Sequence, residues 1–349
     1  MRIDLPERAR PPTIRDVAER ARTSIATVSY ALGKKQRYLR PELRERVLQA
    51  AQELGYVRNA AASSLRGLRR GLLAVLVPQF GNNFFTRICV EAESVAQHAG
   101  FVVTICNSNE NPALERSIIQ RLIAQRIDGC IVSPALSATD NIALLRRDRV
   151  PTVVLERSLG DAMPDHDFVG HDNFQSGFLA TQQLLAAGHR RIAFLGWDSP
   201  IPNIHDRARG YRAALAGAGV ESDPAWLLLD ALTQEGGARM ATRLATLPVT
   251  AAVIAHHHDL AKGALLGLMQ AGRVWPDDLS LVLIGTPDWR DLVRPSLACV
   301  ERPEPDMGRE AARMLLRKLG QPEARHPAQI LPNTFLHGGS IRPIGKGKQ

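Results

Sequence analysis

The chain has 349 residues, 45% of them hydrophobic and 23% charged, enough for more than one well-buried core. Its four cysteines form no CxxC pair, so neither a disulfide framework nor a zinc-ribbon spacing is written into it. No apolar leader opens the chain and no run approaches a membrane span, so a cytoplasmic protein with no membrane partner is expected. The formal charge of +9 is unevenly placed: residues 1–70 hold 16 Lys/Arg against 7 Asp/Glu, and residues 71–349 hold 28 of each. A basic module on a neutral body points to a polyanionic partner, and nucleic acid is the expected one.

In chain order, residues 1–12 carry Pro6, Pro11 and Pro12 among charges and read as a flexible arm. Residues 13–57 read as three short helices. Ile14, Val17, Ala18 and Ala21 recur at i, i+3, i+4 and i+7, the stripe of one helix face. Thr13 followed by Asp16 is a capping-box pattern. After a break at Arg22-Thr23, Ser24 caps a second helix with Val28, Ala31 and Leu32 inward and Ile25, Ala26, Ser29 and Tyr30 outward. Pro41 and Gly55 bracket a third, with Leu43, Val47, Leu48, Ala51 and Leu54 as its apolar stripe. A polar, hydroxyl-rich second helix is the helix-turn-helix design, in which that helix enters the major groove. Residues 58–70 read as a hinge helix and linker, capped by Asn59, too short to be stable unless something docks it.

From residue 71 the pattern changes to apolar runs alternating with amphipathic helices. The runs at 72–77, 101–106, 129–133 and 151–156, then at 191–196, 251–255 and 279–285, predict buried parallel strands. An α/β body of two lobes with doubly wound parallel sheets follows, spanning 71–349, with a ligand cleft at the carboxyl ends of strands.

The segments TIRDVAERARTSIATVSYAL and RPELRERVLQAAQELGYVRNAAASSLRG resemble the DNA-binding headpiece and hinge of the lac repressor family (LacI/GalR). Arg207-Ala208-Arg209-Gly210-Tyr211-Arg212 is similar to that family's RxxGYR, and His258-Asp259 stands where it usually has Asn-Asp. The resemblance implies a transcriptional regulator, expected to be a repressor. It implies a homodimer on a near-palindromic double-stranded operator, controlled by a small-molecule effector held between lobes like those of periplasmic sugar-binding proteins. It implies DNA contacts at Thr13, Ser24, Ile25, Ala26, Thr27, Ser29, Tyr30, Asn59 and Ser64, with Leu65 as a wedge in the minor groove. Tyr30 replaces a common Arg, which removes a bidentate guanine contact.

By the same matching the effector contacts are Asn83, Phe85, Glu156, Arg207, His258, Asp259 and Asp288. The family's Gly-Phe-Asp-Asp stands here as Gly285-Thr286-Pro287-Asp288, so one carboxylate acceptor is gone and the effector class stays open between a sugar and a related metabolite. His256-His257-His258 does not present three ligands to one ion, because successive strand residues point to opposite sides. No cofactor is expected, and no nucleophile elbow, dinucleotide fingerprint or P-loop supports an enzyme. A solute-binding protein without a regulatory role is the alternative, against which the basic headpiece argues.

Overall fold

The computed structural model describes residues 10, 12–32, 39–56, 70–81, 83–135, 139–158, 166–198, 201–256, 258–321 and 323–344. The chain divides into two compact units, residues 1–70 and 71–349. The expected contacts Asn59, Ser64 and Leu65, and the hinge that carries them, lie outside the described residues.

In the first unit, α1 (Ile14–Arg20), α2 (Ile25–Ala31) and α3 (Pro41–Glu53) close a small core of Val17, Ala18, Ala21, Val28, Ala31, Val47, Ala50 and Ala51. The capping box is complete: Thr13 Oγ1 accepts from the Asp16 amide, and the Asp16 carboxylate accepts from the Thr13 amide at 2.6 Å. Those hydrogen bonds hold the Asp16 carboxyl below its ordinary pKa. Arg40 precedes α3 without a side-chain cap, and Arg46 instead ties the helices by donating to the Ala21 carbonyl at 3.0 Å. One element of the sequence reading shifts. Leu48, expected inward, is 39% exposed, and Ala50 takes the inward place, because three closely packed short helices admit alanine where leucine would force them apart.

The second unit holds two six-stranded sheets. The first contains β1 (Leu72–Val77), β2 (Val102–Asn107), β3 (Gly129–Val132), β4 (Thr152–Leu155), β5 (Asp167–His171) and β11 (Gln329–Leu331), in the order β11-β5-β4-β3-β1-β2 and all parallel. The second contains β6 (Ile192–Trp197), β7 (Leu227–Asp230), β8 (Ala251–Ile254), β9 (Ser280–Ile284), β10 (Ala298–Glu301) and β12 (Thr334–Leu336), in the order β12-β10-β9-β8-β6-β7. Only β12 in that sheet runs antiparallel to its neighbour. The helices are α4 (Asn83–His98), α5 (Pro112–Ala124), α6 (Thr139–Arg147), α7 (Asn173–Ala186), α8 (Pro202–Gly217), α9 (Gln234–Thr246), α10 (Asp259–Gln270) and α11 (Glu304–Gly320). All four cysteines are free, and burial pushes the Cys89 and Cys299 thiols up to about 12, which keeps them unreactive.

The chain passes between lobes three times. β5 belongs to the first sheet, but α7 after it buries Ala180 and Leu184 against Phe194 and Val282 of the second. β10 belongs to the second sheet, but α11 buries Met307, Ala311 and Leu315 against Leu73 and Val153 of the first. β11 and β12 make the third passage. Residues 171–173, 301–304 and 331–334 therefore form the hinge. Asn333 fastens two of its strands, with Oδ1 2.9 Å from His171 Nδ1 and Nδ2 donating to the Asp172 carbonyl at 2.7 Å.

Candidate functional site

The first unit presents a face on α2. Val28 and Ala31 are fully buried, which turns Ser24, Ile25, Ala26 and Tyr30 out to solvent, Tyr30 at 53% exposure. Thr27 and Ser29 are half-buried beside them. Ser24 Oγ accepts from the Thr27 amide at 3.1 Å and lies 2.9 Å from Thr27 Oγ1, so the two hydroxyls are fixed by capping and still reachable. Thr13, half-buried, donates its hydroxyl to Asp16 at 2.8 Å. The outward row is neutral, hydroxyl-bearing and free of carboxylates, a surface that can approach base edges and phosphates without repulsion.

The second unit carries a cleft between its lobes, floored by the hinge. Glu156, just after β4, is 5% exposed and takes φ +61°, a left-handed backbone that aims its carboxylate into the cleft. Its Oε1 accepts from Asn203 Nδ2 at 2.9 Å and Asn173 Nδ2 at 3.3 Å, with His171 Nε2 at 3.3 Å and an Arg207 Nη at 3.9 Å. Its Oε2 is buried with no hydrogen-bond partner. Burial would raise this carboxyl's pKa, but His171, Arg207 and Arg302 outweigh burial and hold it down to about 2. It is a fixed anion at neutral pH. Arg207 is anchored by donating to Asn173 Oδ1 at 2.7 Å and the Ala255 carbonyl at 2.8 Å. Arg302 lies 4.1 Å over the Phe84 ring and pairs with Glu304 at 2.9 Å. Burial, with Arg207 and Arg302 nearby, drives the His256 pKa well below its ordinary value and keeps the ring neutral.

Two connected spaces open here. A cavity of about 50 Å³ is lined by Phe84, Phe85, Glu156, Trp197, Arg207 and His256, among others. A larger one of about 370 Å³ adjoins it across Glu156, Arg157, Ile201 and Asn203, which line both. Of the seven residues the resemblance named, Phe85, Glu156 and Arg207 meet at the smaller cavity. Asn83 and Asp288 meet elsewhere, hydrogen-bonded to each other across the lobes. His258 and Asp259 line neither space: His258 precedes α10 at its N-cap with its ring 3.7 Å from Asp259, whose carboxylate also lies 3.6 Å from Lys262. His256, two residues earlier, is the histidine on the cavity wall. Sequence reasoning missed His171, Asn173, Asn203 and Arg302, which reach the cleft from strand ends and helix starts that only the hinge topology brings together. The one local signal was a polar pair or triplet directly after an apolar run, as in His171-Asp172-Asn173.

Asp288 also pairs with Arg87, whose other Nη lies 3.3 Å from Glu304. The series Arg302–Glu304–Arg87–Asp288 thus runs from the cleft floor across to the opposite lobe. Asp288 is 60% exposed, so its loss should cost less than about 1 kcal/mol of stability while freeing the lobes. With one fluorophore on each lobe, Asp288→Ala is expected to lengthen the interlobe distance. Raising salt towards 1 M should lengthen it in the unaltered protein and leave the variant unmoved, because screening acts on the same pair. Equal salt responses would show that this bridge does not hold the lobes.

A sequence model of the bacterial regulatory proteins of the lacI family matches residues 13–59, and one of periplasmic binding proteins and the sugar-binding domain of the LacI family matches residues 70–337. The chain belongs to the lacI family. The regulator is 31% identical to the ribose operon repressor of Halalkalibacterium halodurans over 309 residues, 88% of this chain and 90% of that one. Its structure is similar to that of the transcriptional regulator CelR in complex with cellobiose, with TM-score 0.71, 26% identity, and 94% and 99% of the two chains covered. It is also similar to a LacI-family regulator of Enterococcus faecium with bound ribose, with TM-score 0.72, 28% identity, and 78% and 99% covered. Both units are thereby accounted for: the regulator is a DNA-binding transcriptional regulator with a helix-turn-helix headpiece and a two-lobed α/β body. Among the described residues no helix is long and apolar enough to cross a membrane.

Proposed function

We propose that the regulator occupies a near-palindromic operator as a homodimer, with repression as the outcome. A small molecule held between its lobes then changes its operator affinity. The observation that carries the effector half is Glu156, a buried and ionised carboxylate with one oxygen unpartnered inside the interlobe cleft. A buried carboxylate oxygen without a donor is an acceptor that a ligand hydroxyl or N–H can complete. The sugars in the two similar structures favour a sugar or related metabolite. The exposed apolar side chains Leu266 and Met269 on α10, and Leu292 at 81% exposure, supply surface for a second copy to cover. Binding rather than turnover is the work of this cleft, in the cytoplasm, and the relatives' names as operon repressors and regulators support that reading.

DNA is read by the α2 face, with the hinge helix expected within residues 58–70 and its Leu65 entering the minor groove of the same site. The effector acts by population shift: it changes lobe closure, and a coupling of about 1–3 kcal/mol alters operator affinity about 5–150-fold. Selection of duplexes from a random pool by the full chain, followed by gel shifts with and without ribose, cellobiose and nucleosides, tests both halves. The expected result is a dyad-symmetric motif whose affinity one of these compounds moves within that range. A motif without symmetry overturns the homodimeric operator reading. An affinity unmoved by a compound that raises the body's melting temperature overturns the effector reading. In the same selection Tyr30→Arg is expected to change the preferred half-site, since a new bidentate guanine contact discriminates by about 1–3 kcal/mol. An unchanged motif would remove Tyr30 from the bases it is assigned to read.

A further inference from the structure

A separate cavity lies at the other end of the first sheet. Glu156 and His171, at the carboxyl ends of β4 and β5, line the interlobe cleft. Thr152 and Asp167, the first residues of the same two strands, line a space of about 410 Å³ walled by α6 and the end of α11. It is of small-molecule size and shares no lining residue with the spaces in the cleft.

Its floor is apolar and its rim is cationic. Ile142 and Val154 are buried beneath it, with Val150 half-buried beside them. Asp167, 3% exposed, is already neutralised: it pairs with Lys318 and accepts from the His326 amide at 2.9 Å. Around that pair, Arg146, Arg149 and Arg325 stand against one carboxylate, Glu323. Arg147 takes Asp148 at 3.1 Å, and among the described residues the exposed Arg146 and Arg149 make no side-chain hydrogen bond or ion pair.

Arg149 is also held against its backbone preference. It has φ +54° just past α6, where its amide donates to the Arg146 carbonyl at 3.0 Å and the Val150 amide to the Leu145 carbonyl at 2.9 Å. Gly100, Gly188 and Gly272 fill the equivalent place after α4, α7 and α10, closing those helices with the same two bonds. A Cβ in this conformation meets a steric cost that glycine avoids. Arginines at a helix end complement its dipole, and Arg126 closes α5 in the same way at φ +52°. Arg126 does not line the cavity, and Arg149 does.

We propose that this cavity binds a small organic monophosphate. Arg146 and Arg149 take the phosphate oxygens, for which the planar guanidinium fork is suited, and the organic part lies against Ile142, Val150 and Val154. The sheet is parallel, so this is also the end at which the chain enters β1, where Asp128 accepts from the Gly71 and Leu72 amides at 2.6 and 2.9 Å. The ligand is a second input to the body, independent of any molecule between the lobes.

The test is calorimetric titration of the full chain, without DNA, using phenyl phosphate, adenosine monophosphate and inorganic phosphate. Phenol and adenosine are the uncharged counterparts. At least one of the two esters is expected to bind at least tenfold more tightly than its counterpart and than inorganic phosphate, which reaches the guanidiniums but not the floor. Arg149→Gly, which removes charge and strain together, and Arg146→Gln, at an exposed helix position, are each expected to weaken that ester at least tenfold. Arg126→Gly should leave it within twofold, and neither glycine variant should lower the melting temperature. An ester that binds Arg149→Gly as well as Arg126→Gly sits elsewhere, for instance on the basic first unit, and overturns the assignment. Inorganic phosphate binding as tightly as the esters, or silence from both esters, overturns it as well. Operator affinity lost in Arg149→Gly with no ester bound by the unaltered chain would give this arginine to DNA phosphates instead.

Discussion

Glu156→Gln is expected to destabilise the body by roughly 3 kcal/mol at neutral pH and to do so progressively less as the pH falls. The magnitude follows from the displacement of the carboxyl from its ordinary 4.5 to about 2, at about 1.4 kcal/mol for each pH unit. The folded-state value is depressed, so this contribution is fully present above pH 4.5 and is lost as the pH falls from 4.5 towards 2. Glutamine keeps the shape and can still accept from Asn203 and Asn173 through its oxygen, but it leaves Arg207 and Arg302 without their shared counter-charge. Urea titrations of both proteins at a series of pH values check this. The stability curves should stand apart near pH 7 and converge below pH 4. A gap that stays constant over that range would mean that Glu156 acts through packing rather than charge. The same anion is what a ligand would meet, and its unpartnered Oε2 is the atom a ligand donor would complete.

The strands of the body were legible because a parallel strand buried on both faces is a continuous apolar run: 72–77, 129–132, 251–254 and 280–284 stand in the sequence as unbroken stretches. β5 was not, although all five of its residues are buried, because Asp-Phe-Val-Gly-His mixes polar ends with one glycine. Its Asp167 is buried through pairing with Lys318 and the His326 amide, partners some 150 residues away that no local pattern reveals. The cleft was half legible for the same reason. Glu156 and Arg207 sit in motifs that can be matched along the chain. His171, Asn173 and Arg302 become site residues only because two hinge crossings place strand ends of both sheets at one floor. His256 rather than His258 lines that floor because His258 is taken up in the start of α10, a local choice of cap that pattern matching does not resolve.

One motif was legible without its reason, and the structure supplies it. In Arg207-Ala208-Arg209-Gly210-Tyr211-Arg212 the arginine lines the cleft, yet it is the glycine that brings it there. A Cβ on Gly210 would lie 2.0 Å from the Phe174 carbonyl oxygen and 2.7 Å from the Phe178 nitrogen; one on Gly177 would lie 1.8 Å from the Arg207 carbonyl oxygen. α7 and α8 therefore cross backbone against backbone at two glycines, one from each helix. Tyr211 then fixes α8 on its sheet by donating to the Ile192 carbonyl at 2.7 Å. Gly177→Ala and Gly210→Ala are each expected to cost about 3 kcal/mol or more, the upper end of overpacking, because the clashing atoms are backbone and cannot rotate away. Either change should also draw Arg207 from Asn173 and Ala255, loosening the floor of the cleft. The double variant should cost less than the sum, since helices already forced apart by one methyl accommodate the second. Gly217→Ala, at the end of the same helix with nothing within 4 Å, is the control and should be neutral or stabilise by up to about 1 kcal/mol. Thermal unfolding of the four variants separates the alternatives. If Gly210→Ala behaves like Gly217→Ala, the motif's glycine reflects helix propensity alone. If its cost is large and shared with Gly177, the close crossing is what seats the arginine.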